Sequence, residues 1–394
     1  MRWASAFLLF GTLVLMSLGL VMIASVADVP GRVIHHDPTH FLRSQAAFDA
    51  VALAGCALVA CVRPRFWFRR GTVVALLAVV AVSLVVVHVP GLGRTVNGSA
   101  RWIRLPGLSL QPSEFVKIAS IVLLAWWLGE GEARAASFRL GALVPFLALG
   151  VVMGGFLLQP DLGSCVMLGS VAAAMMFAAG VKFRYLVAAA LVAAVPLSAY
   201  VLHDAERLSR ITSVLTHHDK GAEVLSISED ADGYQLRMGL SAFAAGGARG
   251  VGLGKSLFKE RYLPENHTDF IFAMVGEELG LAATMPCLLL YAALAAAGFV
   301  VAYLAPDRRQ RLLALGMTLQ ICLSAAVNVG VVTGCFPTKG LALPFLSYGG
   351  SSLVGSVGAV GFLLGIGLRP GAPRVASAGP RAAARAELSD IWNE

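Results

Sequence analysis

Residues 269–304 read DFIFAMVGEELGLAATMPCLLLYAALAAAGFVVAYL, with no charged side chain from Leu279 to Leu304. An apolar run longer than about 18 residues marks a membrane-spanning helix. As one continuous helix, Asp269 to Leu304 would be about 54 Å long. A bilayer's hydrocarbon core is only about 30 Å thick. The front end, with Asp269, Glu277 and Glu278, is therefore expected to reach the outer surface or enter a polar cavity. On that reading Glu277 and Glu278 lie two to three turns deeper than Asp269.

The pattern recurs along all 394 residues. Apolar stretches lie near 4–27, 45–62, 72–89, 113–129, 140–158, 163–180, 184–202, 270–303, 312–335 and 350–368. The chain is 57% hydrophobic and 14% charged, where a soluble domain carries roughly 25% charged residues, so a soluble globular protein is excluded. The run from Ala4 to Ala27 exceeds the apolar core of a signal peptide and reads as a retained first helix. Cys56, Cys61, Cys165, Cys287, Cys322 and Cys335 all lie in or beside apolar runs without zinc-type spacing, and read as buried thiols.

The net charge of +8 resides in short basic clusters between apolar runs. These are Arg63, Arg65, Arg69 and Arg70; Lys182 and Arg184; Arg308, Arg309 and Arg311; and Arg369, Arg374, Arg381 and Arg385. With ten spans all four fall on one side, which basic residues mark as the cytoplasm. The basic balance thus reflects topology and does not call for nucleic acid as a partner. The expected fold is an all-α integral membrane protein of about ten transmembrane helices, both termini cytoplasmic. Residues 1–369 form the membrane domain. Residues 370–394, rich in Ala and Arg, are expected to be a disordered cytoplasmic tail.

Three outer segments exceed simple turns: 90–112, a large extracytoplasmic loop at 203–268 between helices seven and eight, and 336–349. Long polar loops of this kind suggest function. Within the large loop, Tyr234 to Ala245 is mixed apolar and polar and suits a helix lying in the membrane interface. No internal repeat is visible, which counts against a transporter of inverted halves. Gly254-Lys255-Ser256 ends like a phosphate-binding loop, but Arg249 occupies its first glycine position and no strand precedes it.

Four constellations carry polar chemistry at the outer face. Arg101, Trp102 and Arg104 place phosphate-binding forks beside an interface aromatic, or simply anchor the loop. Glu114 and Lys117 share one face at the head of a spanning helix. They form a structural ion pair or face a cavity. Asp269, after Leu263-Pro264-Glu265-Asn266-His267-Thr268, is an acid near the membrane. It serves as a base if a cavity holds it, or Asp269 or Thr268 caps the helix. Ser347-Tyr348-Gly349-Gly350-Ser351-Ser352 offers amides and hydroxyls to an anion, or is a capped turn.

Together these segments resemble the SEDS family (shape, elongation, division and sporulation proteins) from about Leu15 to Leu368. The anchors are Asn97-Gly98-Ser99-Ala100-Arg101-Trp102, Gln111-Pro112-Ser113-Glu114, Gln159-Pro160-Asp161-Leu162-Gly163, Tyr234-Gln235, the Leu263–Leu279 block and Ser347–Ser352. Pro337-Thr338-Lys339-Gly340-Leu341 is closer to the division branch than to the elongation branch. Asn266 departs from the Ala common there, leaving His267, Thr268 and Asp269 intact. The resemblance implies ten helices in the bacterial inner membrane, a role at the division septum, and peptidoglycan glycosyltransferase activity on lipid II. The growing strand is then a glycan linked to undecaprenyl pyrophosphate, and a class B penicillin-binding protein supplies the transpeptidase alongside other division proteins. Asp269 maps to the family's base. Arg101, Arg104, Lys117 and Lys339 would face the pyrophosphate, with Trp102, Glu114, His267, Thr268, Ser347, Gly349, Gly350, Ser351 and Ser352 lining the substrate. A divalent cation, Mg or Mn, would suit the same anion, though no ligand spacing shows one. A lipid II flippase and a non-catalytic division scaffold are the rival readings.

The topology has a direct test. An impermeant thiol reagent applied to intact cells is expected to label Lys220→Cys and to leave Arg308→Cys unlabelled. The opposite pattern would overturn the assignment of sides.

Overall fold

The computed structural model describes residues 1–89, 91–96, 99–105, 108–203, 231–259, 267–337 and 340–369. The expected disordered tail, much of the large loop, and Thr338 and Lys339 lie outside the described residues.

Apolar sequence without water leaves helices as the economical way to satisfy backbone polar groups. Helices α1 (Arg2–Val26), α2 (Asp28–His35), α3 (His40–Cys61) and α4 (Arg70–Val86) come first. Then follow α5 (Pro112–Leu128), α6 (Glu132–Ala136), α7 (Val144–Leu158), α8 (Leu162–Ala178) and α9 (Phe183–Leu202). The second half holds α10 (Ala231–Gly246), α11 (Ile271–Leu279), α12 (Leu281–Leu304), α13 (Arg308–Val332) and α14 (Gly350–Gly367). Every apolar stretch of the sequence is helical along most of its length. Seven helical stretches among the described residues are long and apolar enough to cross a membrane, and α4 and α8 are shorter apolar helices.

Local chemistry sets several boundaries. Asp161 and Asp307 cap α8 and α13, accepting from the Ser164 and Gln310 amides at 3.2 and 2.8 Å. Pro112 opens α5, where its missing N–H costs nothing. Arginines close several helix ends. Arg308 donates to Leu128 O at the end of α5 and to Ala179 O at the end of α8, and Arg369 donates to Cys61 O and Val62 O at the end of α3. Each cation thus meets orphan carbonyls at the negative end of a helix dipole. The basic clusters therefore mark one end of the bundle structurally as well as by charge.

Helix α13 runs through the core, with Leu313, Ala314 and Met317 fully buried, and packs against α5, α8, α12 and α14. Helix α14 lies along α3, closely enough that a Cβ at Gly361 would meet Cys56 O at 2.8 Å. Helix α1 packs into this core against α12, α14 and α3.

Four findings refine the expectations. First, the all-α membrane fold carries one small addition: β1 (Gly93–Val96), β2 (Ser99–Leu105) and β3 (Leu108–Leu110) form an antiparallel sheet in the order β1-β2-β3. Secondly, Asp269–Leu304 is not one helix. It breaks at Gly280, whose φ of 72° is a left-handed conformation suited to glycine. The break exposes backbone groups, and residues 247–252 satisfy them. Val251 and Gly252 amides donate to Glu277 O and Glu278 O at 2.9 and 3.0 Å, while Leu281 and Ala282 amides donate to Gly247 O and Ala248 O at 2.9 and 3.1 Å.

Thirdly, Glu277 and Glu278 are not deeper than Asp269 along one axis. Glu278 accepts from Ser25 Oγ, in the last turn of α1, at 2.6 and 2.7 Å. Glu277 accepts from Ser256 Oγ and from the Leu257 and Phe258 amides. Gly254 N donates to Ser25 Oγ at 3.0 Å. The stretch that resembled the end of a phosphate loop is a clip joining α1 to α11, with Ser256 buried and Gly254 and Lys255 exposed. Fourthly, Cys61 and Cys335 are exposed, because each lies at or just past the end of a helix; none of the six cysteines forms a disulfide. The helix expected around Tyr234–Ala245 is present as α10, packed on α11.

A Cβ on Gly280 would collide with the backbone of Arg249 and Gly250. Gly280→Ala is expected to destabilise the protein by roughly 1–3 kcal/mol from the backbone conformation alone, read as a lower thermal midpoint in mild detergent. An unchanged midpoint would show that the break tolerates a side chain.

Candidate functional site

Residues 267–269 enter the bundle as non-helical backbone, and each of their carbonyls is captured. Tyr348 N donates to His267 O at 2.9 Å, Ser347 Oγ to Thr268 O at 2.6 Å, and Asn328 Nδ2 to Asp269 O at 2.8 Å. The same Asn328 amide donates to Leu341 O at 2.6 Å, and Leu343 N donates to Ser347 Oγ at 2.8 Å. Three donors on two other chain segments therefore fix the backbone that carries Asp269. Phe270 is the N-cap of α11, and its own side chain makes no capping hydrogen bond.

The carboxyl group lies against Gly340. A Cβ built on that glycine would stand 2.6 Å from Asp269 Oδ2. Gly340 therefore leaves the space that the carboxylate fills. His267 packs its ring 5.0 Å from Phe41 and 5.7 Å from Tyr348, centroid to centroid, and Tyr348 Oη donates to Ser44 Oγ at 3.1 Å. This aromatic group ties the segment to the start of α3.

A second polar group flanks α14. Lys117 and Glu114 form an ion pair at 2.8 Å, with the Lys117 side chain only 3% exposed. Arg101 donates to the carbonyls of Gln159, at 3.2 Å, and Pro160. Beside it Asp161 is buried and accepts from Ser164 Oγ at 2.7 Å. Burial alone would push the Asp161 carboxyl up. The Arg101 guanidinium, the Ser164 hydroxyl and amide, and Lys117 outweigh it and hold the group below the usual carboxylate range. Ser351 Oγ accepts from Gln111 N at 2.8 Å. Glu114 stands against Gly355 on α14, and Tyr348 against the opposite flank. The turn before α14 and its first two turns thus join the two polar groups at one end of the bundle.

The structure brings together Asp269, His267, Thr268 and Ser347 on one flank and Arg101, Glu114, Lys117 and Ser351 on the other. Arg101, Ser347 and Ser351 have polar atoms committed to bonds within the chain. Trp102 is half-buried in β2 opposite Arg94. Arg104 pairs with Ser109 through its backbone, and its side chain lies outside the described residues. Gly349 is the N-cap of α14, with Gly350 and Ser352 in its first turn. Lys339 lies outside the described residues. Among the described residues no three His, Cys, Asp or Glu side chains come together as a metal site. Sequence reasoning missed Asn328, Gly340 as a spacer, and Asp161. A lone amide in the apolar run of α13 and an acid inside Gln159–Gly163 were the available signals.

A polytopic membrane protein with a preorganised acid and a buried ion pair at one end of its bundle is the class that these features define. The chain belongs to the FtsW/RodA/SpoVE family of cell cycle proteins, whose model matches residues 6–369. A probable peptidoglycan glycosyltransferase FtsW from Trichlorobacter lovleyi is 40% identical over 91% of this chain and 92% of its own length. The stage V sporulation protein E of Bacillus subtilis is 37% identical over 90% and 94%. Among solved structures, a chain of a peptidoglycan synthase complex that coordinates polymerization and crosslinking superposes with a TM-score of 0.70 and 27% identity, covering 92% of this chain and 96% of that one. The rod shape determining protein RodA of Thermus thermophilus gives 0.65 and 26%, with the same coverage.

Removing the Asn328 side-chain amide leaves two buried carbonyls short of a donor. Asn328→Ala is expected to lower stability by on the order of 1–3 kcal/mol, seen as a lower thermal midpoint and faster proteolysis between residues 259 and 345. A midpoint equal to that of the unsubstituted chain would show that the cradle is held without Asn328.

Proposed function

We propose that this chain is a peptidoglycan glycosyltransferase that polymerises lipid II, with Asp269 as its general base. The observation that carries the role of Asp269 is the capture of three successive carbonyls at 267–269, which fixes a carboxyl group against Gly340. A base whose position is already set loses less to reorganisation when the substrate arrives.

The growing glycan carries undecaprenyl pyrophosphate at its reducing end. The 4-hydroxyl of an incoming lipid II attacks that anomeric carbon. A new carbon–oxygen bond forms as the bond to pyrophosphate breaks, the bonding pair leaves on the pyrophosphate oxygen, and the hydroxyl proton passes to the Asp269 carboxylate. A single displacement converts the α linkage to β. Lys117 supplies positive charge on the facing flank, held in place by Glu114. Arg104 and Lys339 are assigned to the leaving pyrophosphate. Arg101 acts by fixing β2 to the turn before α8, since its donors meet two carbonyls there. A divalent cation would have no ligand cluster among the described residues, and no step here passes through one.

The site end of the bundle is assigned to the outer face and the arginine-capped end to the cytoplasm, with ten spans and both termini inside. A class B penicillin-binding protein is the proposed crosslinking partner, at the septum of the inner membrane. The polar groups described above gather at one end, which favours a surface enzyme over a flippase.

Asp269→Asn keeps the size and hydrogen-bonding reach of the side chain but cannot take the proton. It is expected to fold normally and to lose roughly 10²–10⁴ in polymerisation rate with the partner present. Measured on purified protein with lipid II, a rate within about threefold of the unsubstituted chain would remove Asp269 from this role. Gly340→Ala is a subtler test. Its methyl displaces only a flexible carboxyl end, so the thermal midpoint should hold while the rate falls by up to about 10²-fold, the cost of misplacing a reacting group. Full activity in this variant would show that the carboxyl position is not critical.

A further inference from the structure

Helix α3 carries two polar side chains that the proposed reaction does not use. Gln45 and Asp49 stand one turn apart on one helical face, 1% and 6% exposed. Gln45 Oε1 and both carboxyl oxygens of Asp49 are buried and have no hydrogen-bond partner among the described residues. All three atoms are acceptors when the acid is ionised, and the Gln45 amide nitrogen, the pair's own donor, reaches neither carboxyl oxygen.

Among the described residues no ion pair reaches Asp49, and the titratable rings packed on the start of α3, His267 and Tyr348, lie against Phe41 and Ser44, one to two turns before Asp49. Helices α14 and α1 run against α3. Neither contains a titratable or charged side chain apart from Arg2, at the far end of α1. The charged groups of α2 and of the start of α3 are engaged elsewhere. Asp28 pairs with Arg32 and Asp37 with Arg43, the arginines largely exposed, while His35 stacks on His40. Farther along α3, Cys56 is buried and Cys61 is exposed, and neither forms a disulfide. An ionised carboxylate in a spanning helix with neither donor nor cation is strongly disfavoured. A single proton resolves both deficits, because a neutral carboxyl has an O–H to donate and Gln45 Oε1 needs one.

We propose that Asp49 is a proton-binding site, carried as the neutral acid with its hydroxyl donated to Gln45 Oε1 in the seam between α3 and α14. Glycines close this seam, with Gly350 against Phe48 and Gly361 against the Cys56 backbone. Ionising Asp49 would draw water into it. The turn that holds His267 and Thr268 leads directly into the same end of α14, so the proton keeps that turn seated.

Infrared spectroscopy of the full chain in lipid nanodiscs reads the protonation state without relying on activity. The difference spectrum between the unsubstituted chain and Asp49→Asn should show a carboxylic acid carbonyl band at neutral pH that fades at alkaline pH. Asp49→Leu, which needs no hydrogen bond, should remove the same band and serves if the Asn variant fails to fold. Carboxylate bands in place of the acid band at neutral pH would overturn the proposal. A second readout is thermal unfolding. The unsubstituted chain should lose stability as pH rises, because only its folded state must ionise a buried acid, and Asp49→Asn should lose less. Equal losses in the two proteins, or loss of an acid band on adding sodium at fixed pH, would also overturn it, the latter by revealing a cation site.

Discussion

Non-helical backbone among apolar helices must find hydrogen-bond partners within the protein, and the site is built around that constraint. Residues 267–269 and 340–349 are both irregular, and they satisfy one another: Tyr348 N meets His267 O, Ser347 Oγ meets Thr268 O, and Asn328 serves Asp269 O and Leu341 O together. The need to satisfy backbone groups therefore does more than stabilise the fold. It sets the position of the acid, since the chain cannot shift at Asp269 without stranding a buried carbonyl. The same rule governs the break at Gly280, where residues 247–252 take up the freed groups, and the arginine caps at the opposite end.

How much of this is legible in sequence follows from how local each interaction is. A spanning helix satisfies itself, so its apolar run is enough, and all ten stretches coincide with helices. The break at Gly280 is not legible, because apolar sequence continues across it and its partners lie some thirty residues earlier. Assuming a single helix there misplaced Glu277 and Glu278, which are anchors for the 254–258 clip rather than acids deeper along one axis. The sheet at 93–110 was hidden for a related reason, since its strands are short and its residues read as an interface loop.

Within the site, proximity in sequence made His267, Thr268 and Asp269 visible together, and Ser347 joined them as part of a glycine-serine turn. Residue type alone does not show which part of a side chain the fold already uses. Two of Arg101's nitrogens meet the Gln159 and Pro160 carbonyls. Ser351 Oγ accepts from the Gln111 amide. Asn328 and Asp49 each stand within an apolar run and were absorbed into it, although a single buried amide or acid in such a run is expensive enough to require a reason.

The two flanks of the site differ in how they are held, and α14 connects them. On one side the acid is fixed through backbone carbonyls by Ser347 and Tyr348, immediately before the helix. On the other, Ser351 and Gly355 in its first two turns contact the α5 head that carries Glu114 and Lys117. A shift of α14 along its axis would therefore move Asp269 and Lys117 relative to one another. Helix α3 opposes such a shift, because glycine contacts along the seam admit its backbone and side chains too closely for the helices to slide freely. The relative placement of the two flanks is thus tied to packing that continues toward the opposite end of the bundle, where Gly361 meets the Cys56 backbone.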